Sequence, residues 1–436
     1  MPAKNKRKPK VSRKEQAIAK IKARTDSNLF SSQPHRSHRK IVFLVVDGLA
    51  DELKSGRKTP LQAAVKPNLD WLVSNGASGE LELMSESLWR AIDQKGVSQY
   101  ANTELLGYSA ERYPLGRGPL EALGSGVPYC NGYLALRCNF ASVSPDGKVV
   151  DRRAGRNIYG LNELARYVNE HVHIAAKHVF MRTYGHRAVL IIQEPLSDKI
   201  EGNDAAEGHS MPRIKPLEPE ADRSAALVQE FVDKARGVLE FHPKNSERID
   251  RGLPPANCLL ARQPGNSIPA FPRFAARWGL RNAMCIAENG VMKATCLLAG
   301  FSSINVPEFE TDGEADNEKT LDFIFESIDS ALVEYDFVYA HIKGADEAAH
   351  DKDPAAKRKI IEAIDKRLEG FHKFGGTLVV TCDHVTSSLT GKHERGPVPV
   401  LLYGKRKDGV KKFDELSAKK GSLGRMSGHD LLKRIL

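Results

Sequence analysis

The chain has 436 residues, 41% hydrophobic and 28% charged, an ordinary globular composition with length enough for one large domain or two. A net charge of +10 suggests a nucleic-acid binder, yet residues 1–40 hold 13 of the 65 basic residues and only 2 of the 55 acidic ones. The rest, with 52 basic against 53 acidic residues, is almost neutral, which excludes a basic nucleic-acid-binding body. Six cysteines (Cys130, Cys138, Cys258, Cys285, Cys296 and Cys382) are scattered without a CxxC pair, the pattern of a reduced, intracellular protein. No apolar run nears the roughly 18 residues of a membrane span, and no apolar signal core follows the first charges. A soluble, cytoplasmic protein with no membrane partner is expected.

Residues 1–38 form a basic segment (PAKNKRKPKVSRKEQAIAKIKAR over most of it) with few acids. It suits a solvated, disordered extension, a nuclear or organellar address, or an arm touching nucleic acid or another protein. Next, KIVFLVVD from Lys40 to Asp47 is a short, β-branched apolar run ending at an acid and a glycine, as in a strand buried on both faces of a parallel sheet. Thr59 to Gly76 has helical spacing (Leu61, Ala64, Leu69, Leu72, Val73) interrupted at Pro67. Gly96 to Tyr108 places Ser98 in a polar turn before an apolar segment, where it suits a helix N-cap or a nucleophile.

From about Tyr113 to Pro272 the chain has its own strand-like runs, Tyr133–Phe140 and Ala188–Gln193, and its own helix, Arg223–Leu239. This reads as a second domain inserted into the first. The opening design then returns: Tyr335–Ile342 runs into Lys343-Gly-Ala-Asp346, and Gly376–Cys382 runs into Asp383-His384. Helical spacing over Ala355–Gly370 separates them, and a further strand-like run, Val398–Tyr403, follows. Strand, helix, strand in that order predicts an α/β fold with a mostly parallel sheet. Ligands in such sheets sit beyond the carboxyl ends of the strands, and three strands here end in acids.

Asp346 and His350, four apart, share one face of a helical turn and suit a common metal, or else an exposed pair at a helix start. With Asp47, Asp383, His384 and His393 they make three carboxylates and three imidazoles without a thiolate. That set suits Mn²⁺, Mg²⁺, Co²⁺ or Zn²⁺ rather than a structural cysteine site. Six ligands exceed what one catalytic ion with an open position needs; two ions about 4 Å apart would use them all and clamp a phosphoryl group.

Several long blocks carry a resemblance: VVDGLAD, KPNLDWL, LLGYSAERYPLGRGPLEALGSG, LRCNFASV, VVDRRAGR, TYGHRAVL, GLPPANCLLARQPG, AHIKGADEAAHDKD, VVTCDH and LGRMSGHDLL. Over roughly Arg39 to Leu436 the chain resembles the archaeal-type cofactor-independent phosphoglycerate mutases, of the alkaline phosphatase superfamily. The resemblance implies an alkaline-phosphatase-like α/β domain (39–113 and 273–436) with helices on both faces of its sheet. It also implies an inserted α+β lid (114–272). Asp47, Asp383, His384 and the nucleophile Ser98 would hold one ion, and Asp346, His350 and His393 the other, Mn²⁺ foremost. No 2,3-bisphosphoglycerate is needed.

Substrate contacts are expected from Asp151, Arg152, Arg153 and Arg156, whose guanidinium forks suit carboxylate and phosphate. Lys293, Arg117, His186 and Arg187 are further candidates. The family usually has an acid directly after the serine and a histidine four residues after it; this chain has Gln99 and Asn102. It also has Asp204-Ala-Ala206 where Asp-Pro-His is usual. The implied reaction transfers the phosphoryl group of 3-phosphoglycerate to Ser98 and back to the 2-hydroxyl of a retained glycerate. The rival readings are a metal-dependent phosphatase or phosphodiesterase, and a pseudoenzyme that binds a partner through its basic tail.

Overall fold

The computed structural model describes residues 40–92, 96–113, 115–288, 290–308 and 314–436. The basic segment, with the roles expected of it, lies outside them. Strand Ile41–Val46, all of it buried, runs parallel to Phe337–Ile342 on one side and Thr377–Thr381 on the other. These apolar, β-branched runs fill the centre of an eight-stranded sheet in the order 302–305, 283–287, 337–342, 41–46, 377–381, 398–403, 77–81, 424–426. Every strand but Val398–Tyr403 points the same way. That strand is antiparallel because its short connection from Thr381 folds into a two-residue ribbon, Val385–Thr386 against His393–Glu394, and contains no crossover helix.

Register decides where the acids fall. Val46 is level with Ile342 and Val45 with Thr381, so the chain leaves all three strands at one edge, with Asp47 and Asp383 level. Gly48 has φ of +64°, and a Cβ there would lie 2.8 Å from the Asp346 Cα. Its lack of a side chain admits the third acid-bearing element.

The helical expectations need small corrections. Thr59–Gly76 forms two helices, Pro60–Ala63 with a Thr59/Gln62 capping box and Pro67–Ser74, because Pro67 starts a helix at its first position instead of kinking one. The expected 355–370 helix spans Pro354–Arg367, capped by Asp353, and its end tightens into a 3₁₀ turn, Glu369–Lys373.

A second, antiparallel sheet has Tyr133–Val143 at its centre, paired with Arg187–Pro195 on one side and Cys258–Gly265 on the other. Leu134, Leu136, Phe140, Leu164, Val228 and Phe231 give it a core of its own, covered by helices Leu161–His171 and Asp222–Glu240. Among the described residues no helix is long and apolar enough to cross a membrane.

Candidate functional site

At the shared edge the buried carboxylates of Asp47 and Asp383 and the half-buried one of Asp346 converge with four imidazoles. His384 Nε2 lies 3.2 Å from Asp47 Oδ1, 3.4 Å from Asp383 Oδ2 and 3.0 Å from Ser98 Oγ. His350 Nε2 is 3.3 Å from Asp346 Oδ2, and His393 Nε2 is 3.6 Å from Asp346 Oδ1. The fourth, His341 Nε2, stands 3.7 Å from Asp47 Oδ2. Asp346 and His350, paired by their spacing, and His393, added by the family resemblance, lie together as one potential ligand set; Asp47 is shared between a set with Asp346 and His384 and a set with His341 and Asp383. His341 was not anticipated. The available signal was an imidazole inside the buried run FVYAHI, where a polar group needs a partner.

Ser98 is not a helix cap and does not precede its helix. It is the second residue of helix Val97–Leu105, after a left-handed Gly96, so its hydroxyl stands in the first turn where the helix field favours negative charge.

The surroundings prepare these groups to meet cations. His350 Nδ1 is 2.8 Å from the Gly391 carbonyl oxygen, an acceptor only, so Nδ1 carries the proton and Nε2 the free lone pair. Thr386 Oγ1 donates to Asp346 Oδ1 at 2.8 Å and must therefore accept from His384 Nδ1 at 3.0 Å, so Nδ1 carries a proton and Nε2, beside Ser98 Oγ, is the nitrogen that faces the carboxylates. Two like charges 4 Å apart repel by about 4 kcal/mol at an effective dielectric of 20, so three clustered carboxylates cannot all ionise without cations. Without one, burial and the charge of Asp47 push Asp383 well above the usual carboxylate range. Burial alone would lower His384, but Asp383 and Asp47 outweigh it and raise it to about 10. Nε2 of His341 and His393 are buried without a hydrogen-bond partner among the described residues. Lone pairs aimed at carboxylates just beyond hydrogen-bond range fit divalent ions between them.

The cluster opens into a cavity of about 1220 Å³ whose opposite wall is the second sheet. Arg117, Arg137, Arg187 and Arg262 meet there, and the Nε of each is buried without a hydrogen-bond partner among the described residues. Arg137 and Arg262 are directly opposite on neighbouring strands, a like-charge pairing that destabilises a sheet. A bulge at this point, with Gln263 at φ +52°, turns the strand. One buried carboxylate, Glu121, accompanies them, 3.6 Å from Arg137 Nε and accepting from Thr183 Oγ1 at 2.6 Å. Burial depresses Arg117 to about 10, and burial together with the other arginines takes Arg137 well below its ordinary value. An anion placed among them would relieve both.

The expected substrate residues divide. Arg117, Arg153, Arg156, His186 and Arg187 line the cavity. His186, held to about 2 by burial and the nearby arginines, stands there neutral. Asp151 and Arg152 do not line it. Asp151 accepts from the Arg153 and Gly155 N–H groups, and Arg152 pairs with Asp204 at 2.6 Å. Asp151 thereby supports a turn with three successive left-handed residues, Ala154, Gly155 and Arg156 (φ 46°, 71° and 54°), that presents Arg153 and Arg156. The fully buried Arg248 braces the same turn by donating to the carbonyls of Ala154, Asn157, Tyr159 and Pro254. Lys293 is away from the cavity, 3.3 Å from Asn305 Oδ1; the lysine on the cavity wall is Lys343. Gln99 also turns away, donating to the Leu115 carbonyl oxygen at 2.9 Å, so it leaves no gap beside the serine.

Sheet and site define the class: an α/β enzyme whose candidate metal-ligand cluster faces an arginine-lined cavity. A family model described as 2,3-bisphosphoglycerate-independent phosphoglycerate mutase matches residues 93–245, and a protein of that name from Methanoculleus marisnigri is 38% identical over 410 residues, 91% of this chain and 96% of its own. Likeness of that degree along nearly the whole of both chains leaves one conclusion: the chain belongs to the 2,3-bisphosphoglycerate-independent phosphoglycerate mutase family. A Thermoplasma volcanium protein of the same name is 37% identical over 91% of this chain and 96% of its own. The solved cofactor-independent phosphoglycerate mutase from Thermoplasma acidophilum matches at 32% identity with a TM-score of 0.56, covering 91% of this chain and 99% of that one. A solved Pyrococcus horikoshii protein matches at 27% identity with a TM-score of 0.71, covering 91% and 96%.

Proposed function

We propose that the protein interconverts 3-phosphoglycerate and 2-phosphoglycerate through a phosphoserine on Ser98. Two divalent ions, Mn²⁺ foremost, would be held by Asp47, Asp383, His384 and Ser98 and by Asp346, His350 and His393. The observation that carries this reading is one cavity with Ser98 and the ligand cluster on one wall and, on the other, four arginines whose Nε groups make no hydrogen bond among the described residues. When bound, the ions supply charge that stabilises the transferring oxygens and favours the ionised serine hydroxyl.

The chain's own groups do the rest. Arginine forks hold the carboxylate and the phosphate of the substrate. Ser98 Oγ forms a bond to phosphorus as the bond to the 3-oxygen breaks, and the serine proton ends on that oxygen. Glycerate, still held by its carboxylate, turns in the cavity. Its 2-hydroxyl takes the phosphoryl group, and its proton returns to Ser98, so the cycle is neutral in protons.

Retention of glycerate requires that water stay out. Contacts across the cavity mouth support residues 114–272 as the closing lid: Arg182 donates to both oxygens of Glu308, at 3.2 and 2.5 Å, and Arg156 pairs with Asp351 at 2.5 Å. The test is purified protein with Mn²⁺ or Co²⁺ and 3-phosphoglycerate, with products resolved by NMR. 2-Phosphoglycerate is expected; free phosphate as the sole product, or no turnover with any metal, overturns the proposal.

A further inference from the structure

We infer that Asn102 is the positioning residue that aims the Asp383 carboxylate at the metal site and ties it to the nucleophile's backbone, an inference resting on the two-metal reading above. Asn102 stands one turn after Ser98 on helix Val97–Leu105 and is 1% exposed. Its Nδ2 donates to Asp383 Oδ2 at 2.9 Å and to the Ser98 carbonyl oxygen at 2.8 Å, and its Oδ1 accepts from the Tyr339 hydroxyl. A carboxylate and a carbonyl are acceptors only, so both hydrogens of the amide must face them; the partners themselves fix which way the amide points. Tyr339 is locked in turn, buried in its strand and stacked on Phe43 with ring centroids 5.8 Å apart.

Asp383 needs such a holder. It is buried beside two other carboxylates, and its Oδ1 accepts from the N–H groups of His384 at 3.1 Å and Gly48 at 3.4 Å. Asn102 supplies the donor to the other oxygen. All these donors are neutral, so they orient the carboxylate without placing a positive charge where it would compete with a cation. An imidazole, the group expected at this position from the family resemblance, carries at most one hydrogen on each of two diverging nitrogens. It cannot bond the carboxylate and the Ser98 carbonyl from a single atom, as the amide does. Nucleophile and metal ligand are thereby held to one nitrogen, and a shift in either is passed to the other.

The test compares the native chain with N102L, N102D and Y339F. It reads Mn²⁺ affinity from the EPR signal of unbound Mn²⁺, the melting temperature of metal-free protein, and kcat and KM for 3-phosphoglycerate. N102L, of similar shape without polar atoms, is expected to weaken Mn²⁺ binding and lower kcat roughly 10- to 100-fold while KM stays within about twofold. N102D replaces both donated hydrogen bonds with a fourth carboxylate beside Asp383, so its Mn²⁺ affinity should depart from native. Y339F should lose a smaller factor. Native Mn²⁺ affinity in N102L and N102D overturns the inference, as does an N102L whose only change is a lower melting temperature. If N102L does not fold, native affinity in both N102D and Y339F overturns it equally. A native chain that binds no Mn²⁺ overturns the two-metal reading and this inference with it, an outcome distinct from equal binding by native and variant chains.

Discussion

On one wall of the cavity two of the acids, Asp47 and Asp383, stand just beyond the ends of parallel strands; on the other, two of the arginines, Arg137 and Arg262, come from within antiparallel ones. Asp47 follows strand Ile41–Val46 directly and Asp383 follows Thr377–Thr381 after Cys382, in level register. Arg137 and Arg262, by contrast, project from within Tyr133–Val143 and Cys258–Gly265 and face each other across the ladder. A strand end can carry a ligand without disturbing the sheet that bears it. A mid-strand arginine beside another arginine weakens its own sheet unless an anion meets it, as Asp204 meets Arg262 at 3.0 Å. The first wall therefore gathers negative charge that cations would offset, and the second gathers arginines that Asp204 and Glu121 offset only in part.

The largest test of this contrast is Ser98→Ala, which removes the one group that would react with both walls' occupants. Turnover should fall by roughly 10⁴-fold or more, and the phosphorylated protein seen by mass spectrometry in the native chain should be missing, with Mn²⁺ affinity far less affected. Next is Lys357→Met, behind the metal wall. Lys357 and Asp51 are paired at 2.9 Å with both side chains 0% exposed, and Lys357 also donates to the carbonyls of Ala50 and Thr386. It thus joins the loops that follow Asp47 and His384. Breaking a buried pair costs about 3–5 kcal/mol, which thermal unfolding of the metal-free protein will show. The arginine wall should respond differently. Arg262→Ala removes a charge-assisted contact of about 1.5–3 kcal/mol, so kcat/KM should fall roughly 10- to 100-fold while Mn²⁺ affinity holds. An equal loss of Mn²⁺ binding would show the walls to be one unit.

The same contrast explains what could be read from sequence. Strand ends with acids, the Asp346/His350 spacing and the Asp383-His384 pair are contiguous signals, and the structure brings these residues together. Arg137 and Arg262 lie in blocks that carry the family resemblance, LRCNFASV and GLPPANCLLARQPG, yet nothing local marks them, because which face a strand residue takes depends on register and on a bulge. His341 was hidden for the same reason. Asp151 and Arg152 belong to a run whose three basic residues in six look like a binding cluster; in that turn, with its two left-handed non-glycine residues, Arg153 and Arg156 are the ones that line the cavity. Lys293 rested on alignment alone, and the helix that carries it faces it elsewhere.

The smallest expected effect tests how firmly the walls are joined. Arg156 of the second wall meets Asp351, one residue beyond His350 of the first, at 2.5 Å, with 38% and 50% of the two side chains exposed. An ion pair so exposed contributes about 0–1 kcal/mol and is screened by salt. Asp351→Asn should therefore leave the melting temperature nearly unchanged. Its effect should appear in KM, because Arg156 lines the cavity and, once released, is free to meet the substrate anion. A KM that falls a few-fold at low salt and converges with the native value at high salt would mean that Asp351 competes with substrate for Arg156. A KM that rises instead would mean that the pair holds Arg156 in its binding position, and that the arginine wall depends on the metal wall for its shape.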